Sequence, residues 1–192
     1  VVTEKVPFPI PEQIVTYVQT PSSFGDVRVV RDRPVVSSLA ELTDEGMAVL
    51  AKQSGFVGVN TVKGSRSSWT HEIDYQGGGG DDIGELTFRG LVLEERGLDD
   101  NGAVYNKAYE KWWHLDNGNG RFFVAREKAG DRTQRMLVVA GDHFVYARAR
   151  ANELPKDTSL RDFIKGSATR EDKLAALDCE LSFGLVRLGS VP

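Results

Sequence analysis

The sequence predicts an all-β protein with short helices, folded as an antiparallel up-and-down β-barrel. Three observations lead to this class. Most of the chain alternates between apolar and polar residues, which is typical of strands that bury one face. From Val57 to Arg150 the connections between the alternating segments are short and rich in Gly, Asn and Asp, so neighbouring strands are expected to be antiparallel. A meander of this length removes its exposed edges by closing into a barrel.

A series of segments along the chain carries the strand pattern, and turn residues separate them. The candidates are residues 14–19, 26–31, 57–62, 68–75, 84–88, 91–95, 104–115, 121–126, 134–140, 143–150 and 179–188. Turn signals lie at Lys63-Gly64, Arg89-Gly90, 116–120, 129–131 and Gly141-Asp142. We expect the two N-terminal segments and the last segment to complete the barrel.

Helical periodicity is confined to residues 38–53 and 158–177, and we expect short helices there that plug or flank the barrel. Ser38 and Glu41 form a capping-box pattern in the first region, while Gly46 predicts a break within it. Strand–helix–strand alternation does not occur, which excludes a Rossmann-type fold. The glycine run 77–80 lacks the Lys-Ser/Thr of a phosphate-binding loop and indicates a hairpin loop instead.

Composition and charge exclude several classes of protein. The 192 residues are expected to form one domain, 1–192, and 24 basic against 28 acidic residues leave a net charge of −4 with no Lys/Arg cluster for nucleic acid. One cysteine excludes a disulfide framework and a Cys-rich zinc site. The longest strongly apolar run, 136–140, is far shorter than the ~20 residues of a membrane-spanning helix.

We therefore expect a cytoplasmic protein whose secretory signal is absent or already removed, with neither nucleic acid nor a membrane as a partner. The expected partner is a small-molecule ligand or substrate. The oligomeric state stays open, with a homodimer among the options.

The alternation also predicts which side chains point into the barrel. In 104–115, the phase that contains Lys107 and Lys111 is assigned to solvent, because lysines rarely face a closed interior. The same comparison of phases is made in 68–75 and 143–150. Taken together, the three segments place all three histidines of the chain in the lumen. The predicted lumen residues are Trp69, His71, Tyr75, Glu110, Trp112, His114 and His143.

The segments 14–19 and 26–31 do not reveal which of their faces points inward. Tyr17 and Arg28 are included as candidate binding residues, although Tyr17 with Gln19 and Arg28 with Asp26 fit a surface ladder equally well.

Each candidate also has a purely structural interpretation. A histidine at a barrel rim is most often a hydrogen-bonded structural residue. Asp81-Asp82 and Glu94-Glu95 are interpreted as solvated charges, and Cys179 as a small hydrophobic residue beside apolar neighbours.

Seven short stretches, taken in order, resemble one family. They are QTPSSFGDVRV, GFVGVN, SSWTHEIDYQ, DDIGEL, YEKWWHL, GDHFVYARAR and LDCELSFG. Together they resemble bacterial relatives of the fungal Hri-type proteins, which belong to the calycin (lipocalin-like) superfamily. The resemblance covers nearly the whole chain and implies an antiparallel β-barrel whose interior is able to hold a small molecule, without implying a reaction. The Gly-x-Trp signature of true lipocalins is missing, so the resemblance favours extracellular ligand transport less than the superfamily name suggests.

Two functions fit such a lumen. The first is a cofactor-free enzyme of the lyase or isomerase type that acts on a small, partly aromatic molecule; calycin-like barrels elsewhere include lyases and cyclases that need only a shaped pocket and an acid–base pair. His71 would be the general acid or base with Glu110 as its partner, while Trp69, Tyr75 and Trp112 would form stacking walls. The alternative is a non-catalytic small-molecule-binding protein.

No cofactor and no metal is expected, because the histidines are not spaced as a local metal motif and no pattern singles one out for haem. An enclosed cavity with His and Glu within hydrogen-bond reach would favour the enzyme. An apolar or filled lumen would favour the binding protein or a structural role.

Overall fold

The computed structural model describes residues 2–5, 13–77, 81–99 and 101–186, with side chains described in these ranges except in 2–5 and 105–108. The strands are β1 (Val2–Lys5), β2 (Gln13–Gln19), β3 (Ser23–Val30), β4 (Ser54–Lys63), β5 (Arg66–Asp74), β6 (Asp81–Arg89), β7 (Val92–Leu98), β8 (Val104–His114), β9 (Phe122–Ala129), β10 (Arg132–Ala140), β11 (His143–Arg148) and β12 (Glu180–Leu185). The helices are a 3₁₀ turn (Leu39–Glu41), α1 (Asp44–Leu50), α2 (Leu160–Lys165) and α3 (Arg170–Leu177).

The first eight strands form an antiparallel β-barrel in which each strand pairs with the next along the chain. The barrel closes where β1 pairs with β8 through two residue pairs, Thr3 with His114 and Glu4 with Trp113. The predicted class, an all-β protein with an antiparallel up-and-down barrel and short helices, is confirmed. The helices lie within the two regions where the sequence shows helical periodicity.

The last four strands form a separate sheet in the order β12-β11-β10-β9. The expectation that the meander through Arg150 and the segment 179–188 would complete the barrel is therefore wrong, because the chain leaves the barrel after β8.

A two-sided apolar pattern in the barrel wall explains this second sheet. Strands β2 and β3 direct Tyr17 and Phe24 into the lumen, while Val18 and Val27 point outward and are fully buried. A strand that is apolar on both faces needs cover on both sides. The second sheet supplies that cover with Val145 and other buried side chains.

Close contact between the two sheets depends on Gly25 in β3. A Cβ atom at this position would lie 2.6 Å from the side chain of Val145, so only glycine permits the approach. The helices complete the same core with Met47, Leu160 and Leu177.

Polar caps begin each α-helix. The side chains of Thr43, Ser159 and Thr169 accept hydrogen bonds from backbone N–H groups in the first turns of α1, α2 and α3. Among the described residues, no helix has both the length and the apolar character needed to span a membrane.

Candidate functional site

The lumen of the barrel contains an aromatic cluster, and a chain of hydrogen bonds runs through its polar atoms. Tyr17, Phe24, Trp69 and Trp112 are buried together. The indole Nε1 of Trp69 donates to the hydroxyl of Tyr17 at 2.9 Å, and that hydroxyl donates to Oε1 of Gln19 at 2.7 Å. The structure thus places Tyr17 on the inside, together with both tryptophans that the alternation assigned to the lumen.

A β-bulge in β5 determines which side chains of this strand point into the lumen beside the aromatic cluster. The register with β4 shifts between Val57 and Gly58, so that Glu72 is an extra residue on the β5 side. Residues three positions apart in a regular strand face opposite sides of the sheet. Because of the extra residue, His71 and Asp74 lie on the same side and point into the barrel.

The bulge also turns the end of β5 outward. Ile73 and Tyr75 belong to the core between the barrel and the second sheet, and the hydroxyl of Tyr75 donates to the backbone oxygen of Leu50 at 3.4 Å. The prediction that Tyr75 lines the lumen is therefore wrong. Strict alternation holds only up to the bulge, and Tyr75 lies beyond it.

His71 is held between two carboxylates. Its Nδ1 lies 2.9 Å from Oδ2 of Asp74, and its Nε2 lies 3.3 Å from Oδ2 of Asp82. The second contact is an ion pair without hydrogen-bond geometry, so Nε2 has no hydrogen-bond partner among the described residues. The imidazole stacks on Phe56 with ring centroids 3.9 Å apart, and the side chain is only 6% exposed.

These neighbours determine the charge of the imidazole. Burial alone would lower the pKa of His71, but the hydrogen bond to Asp74 and the close negative charges of Asp74 and Asp82 outweigh burial and raise the pKa to about 9. The close contact with the charged imidazole of His71 in turn lowers the pKa of Asp82. At neutral pH His71 is therefore an imidazolium paired with carboxylates.

Asp74 is itself fixed in place. Its Oδ1 accepts hydrogen bonds from the backbone N–H groups of Gln76 at 2.8 Å and Gly77 at 3.2 Å. A carboxylate anchored in this way sets the orientation of the ring that it binds.

A second charged cluster is centred on Arg28. The guanidinium donates to Asp26, with Nη2 to Oδ2 at 2.8 Å, and to both oxygens of Glu110, with Nη1 to Oε1 at 2.8 Å. It also lies over the ring of Trp112, 5.9 Å from the centroid. The predicted direct pair of His71 with Glu110 is not formed, because Glu110 binds Arg28 and His71 binds aspartates.

Glu95 is an acid of the lumen that faces a second acid across two neighbouring strands. It lies directly opposite Glu110 in the pairing of β7 with β8, and its Oε2 accepts a hydrogen bond from the indole Nε1 of Trp112 at 2.9 Å. Burial, followed by the charge of Glu110, raises the pKa of Glu95 to about 7. The interpretation of Glu94-Glu95 as solvated charges is therefore wrong for Glu95.

The space left in the lumen is small. A cavity of about 40 Å³ remains between Tyr17, Trp69, Asp82, Glu95 and their neighbours. This is room for about one water molecule. A much larger cavity of about 650 Å³ lies at the end of β5, beside the loop 149–157, and His71 and Asp74 contribute to its wall.

The other two histidines do not join His71. His143 begins β11 in the second sheet, and its Nε2 lies 3.1 Å from the backbone oxygen of Asp116, so its predicted place in the lumen is wrong. His114 is half-buried at the end of β8, in the same phase as Glu110 and Trp112. Within the described ranges no set of His, Cys, Asp or Glu side chains is arranged to hold a metal ion.

Sequence reasoning missed three acids of this site: Asp74, Asp82 and Glu95. For Glu95 a signal existed, because Leu93 and Glu95 share one phase of β7 and Leu93 packs against the lumen cluster. For Asp74 no signal existed in the alternation, since the bulge reverses its direction.

Comparison with known proteins identifies no relative: no family model matches the chain, and no curated protein or solved structure matches it.

Proposed function

We propose that this protein is a cofactor-independent enzyme of the lyase or isomerase type that performs acid–base chemistry on a small, partly aromatic molecule. One observation carries the proposal. His71 is fixed through Nδ1 by an anchored carboxylate, Asp74, while its other nitrogen has an ion-pair neighbour but no hydrogen bond. A histidine oriented in this way is suited to transfer a proton through its second nitrogen.

The charges assign roles to the ionisable groups. With a pKa of about 9, His71 is protonated at neutral pH and serves as the general acid. Glu95, with a pKa of about 7, is the lumen group able to take up or release a proton near neutrality, but it lines the small lumen cavity and not the larger cavity beside His71. Glu110 instead holds Arg28 in the lumen.

The size of the cavities supports a site next to the barrel rather than deep within it. The lumen cavity of about 40 Å³ between described side chains is too small for an organic molecule, whereas about 650 Å³ beside His71 falls in the range of small-molecule sites. The substrate is therefore proposed to bind at the end of β5, in contact with His71 and Asp74. Membership of the calycin superfamily remains part of this proposal, supported by the eight-stranded up-and-down barrel.

A second candidate function, a non-catalytic small-molecule-binding protein, is favoured by the burial of the imidazole. Only 6% of the His71 side chain is exposed, and both ring nitrogens face carboxylates. A histidine in this setting also fits a purely structural role in closing the barrel end.

A deuterium-exchange experiment separates the two functions. The protein is incubated in D₂O with small aromatic hydroxy acids and aromatic ketones, and proton NMR follows both binding and the loss of carbon-bound protons. We expect one of these compounds to exchange protons with the wild-type protein, with exchange lost in His71→Gln and kept in His143→Gln, which changes a histidine of the second sheet. Binding without exchange would replace the enzyme with the binding protein, and neither binding nor exchange would contradict both for this compound class.

A further inference from the structure

A cavity outside the barrel gathers positive charge. It measures about 570 Å³ and lies where the end of β3 meets the C-terminal end of α1 and the helix α2. Its charged lining residues are four cations and one acid: Arg31, Lys52, Arg161, Lys165 and Asp32. This local excess of positive charge occurs in a chain whose net charge is −4.

Three of these cations come from two separate parts of the chain and have no ion pair among the described residues. Lys52 follows α1, while Arg161 and Lys165 lie at the two ends of α2. Lys165 in the last turn of α2 is stabilised by the helix dipole, but Arg161 in the first turn is disfavoured by it. Bringing like charges together has a free-energy cost that a bound anion would offset.

The floor of the cavity is apolar. Val30, Ala51 and Ile164 line it, and each of these residues is buried in the folded chain. A ligand that fits both features carries a compact negative group at the cationic rim and an uncharged organic part over the floor. Arg and Lys together are suited to a phosphate, which accepts several charge-assisted hydrogen bonds.

We infer that this cavity binds a small organic phosphate, with the phosphate group held by Lys52, Arg161 and Lys165. Its volume lies within the range of small-molecule sites. The inference does not depend on acid–base chemistry at His71, because the site is formed by the helices and the end of β3 outside the barrel.

Phenyl phosphate is a suitable probe, because it joins a phosphate dianion to an apolar ring. Calorimetric titration at low salt measures its affinity alongside that of inorganic phosphate and of phenol. We expect phenyl phosphate to bind most tightly, since only this compound uses both the rim and the floor. Amide NMR shifts should change around residues 52 and 161–165.

A matched pair of double variants tests the location. Arg161→Glu with Lys165→Glu should weaken phenyl phosphate binding by at least about tenfold, because it replaces two cations that hold the phosphate with anions that repel it. Arg121→Glu with Lys128→Glu makes the same change in net charge at exposed positions by the second sheet and should leave binding nearly unchanged.

Three results would overturn the inference. The first is the absence of phenyl phosphate binding to the wild-type protein. The second is equal weakening by both double variants, which would show a long-range charge effect without a site. The third is cosedimentation with vesicles that contain phosphatidic acid in the absence of phenyl phosphate binding, which would assign the basic surface to lipid headgroups.

Discussion

Nδ1 of His71 lies 2.9 Å from a carboxylate oxygen of Asp74, three residues further along the same strand. In a regular strand these two side chains would be on opposite faces. The bulge at Glu72 brings them together, and Glu72 itself points outward to bind Arg126 and Thr133 of the second sheet. One irregularity thus forms the candidate site and ties the barrel to the sheet outside it.

The raised pKa of His71 predicts a pH-dependent contribution to stability. Because the folded-state pKa of about 9 exceeds the ordinary value of 6.5, the stabilisation is complete below about pH 6.5 and is lost as the pH rises through 9. His71→Gln should therefore destabilise the protein by up to about 3 kcal/mol more at about pH 6 than at about pH 10. Denaturant unfolding of both proteins at the two pH values measures this difference, and a pH-independent difference would contradict it.

The raised pKa of Glu95 makes stability depend on pH in the same direction, but substitution of Glu95 should stabilise the protein rather than destabilise it. Its pKa is raised to about 7 from 4.5, so the folded state loses stability as the pH rises from about 4.5 through 7. We expect Glu95→Gln, which can still accept the hydrogen bond from Trp112, to be more stable than the wild type by about 2 kcal/mol at about pH 8 and to bring no such gain at about pH 4. The measurement is the free energy of unfolding in urea; an equal effect at both pH values would show that Glu95 is not protonated in the folded lumen.

Loss of Arg28 should have a large effect on stability. The substitution Arg28→Met leaves Asp26 and Glu110 close together without the cation that they share, and we expect it to cost about 3–5 kcal/mol. Arg135→Met is the matched control, because its ion pair with Glu127 is exposed and screened by solvent and should contribute little to stability. Chemical denaturation measures the free energy of unfolding of both variants. Similar losses would show that the ion pairs of Arg28 in the lumen contribute no more to stability than an exposed ion pair.

The bulge can be tested at Gly58. A Cβ atom there would lie 1.9 Å from the backbone oxygen of Thr70, so Gly58→Ala forces β4 and β5 apart at the position where the register shifts. We expect a loss of about 2–4 kcal/mol and a fall in the pKa of His71 as Asp74 moves away.

The control for this substitution is Gly64→Ala, at the β4–β5 turn. Gly64 has a φ of +63° and open space around it, so alanine should cost only about 1 kcal/mol of backbone strain. The NMR titration of His71 should be unchanged in this variant. If the pKa of His71 in Gly58→Ala equals that in the wild type, the bulge does not determine the pairing of His71 with Asp74.

Period-two alternation predicts which side chains point into the barrel, but it does not predict which charged groups pair with one another. The phase that excludes Lys111 correctly places Glu110 and Trp112 inside the barrel, because a lysine is costly in a closed interior. Alternation cannot reveal a bulge, since the inserted residue leaves no mark in the polarity pattern. It therefore placed Tyr75 in the lumen and gave no sign of Asp74.

Partners of charged groups depend on contacts between distant strands. Arg28 reaches Glu110 across 82 positions of the chain, and His71 meets Asp82 on the neighbouring strand β6. Nothing local in the sequence identifies Asp82 as the neighbour of His71, and the phase that Glu95 shares with Leu93 does not reveal its position opposite Glu110. Burial raises the pKa of Glu95 and the contact with His71 lowers that of Asp82, and both are properties of the assembled barrel.

By itself, the sequence determined the all-β class, the antiparallel meander and the two helical regions, because period-two alternation, turn residues and helix caps act over a few neighbouring positions. Only the tertiary structure decided that the meander closes after β8 and that the last four strands form a sheet outside. It also decided that His71 pairs with Asp74 and Asp82 while Glu110 pairs with Arg28. The physical reason is that both outcomes depend on which faces of distant strands are buried against one another, and only the folded chain brings those faces together.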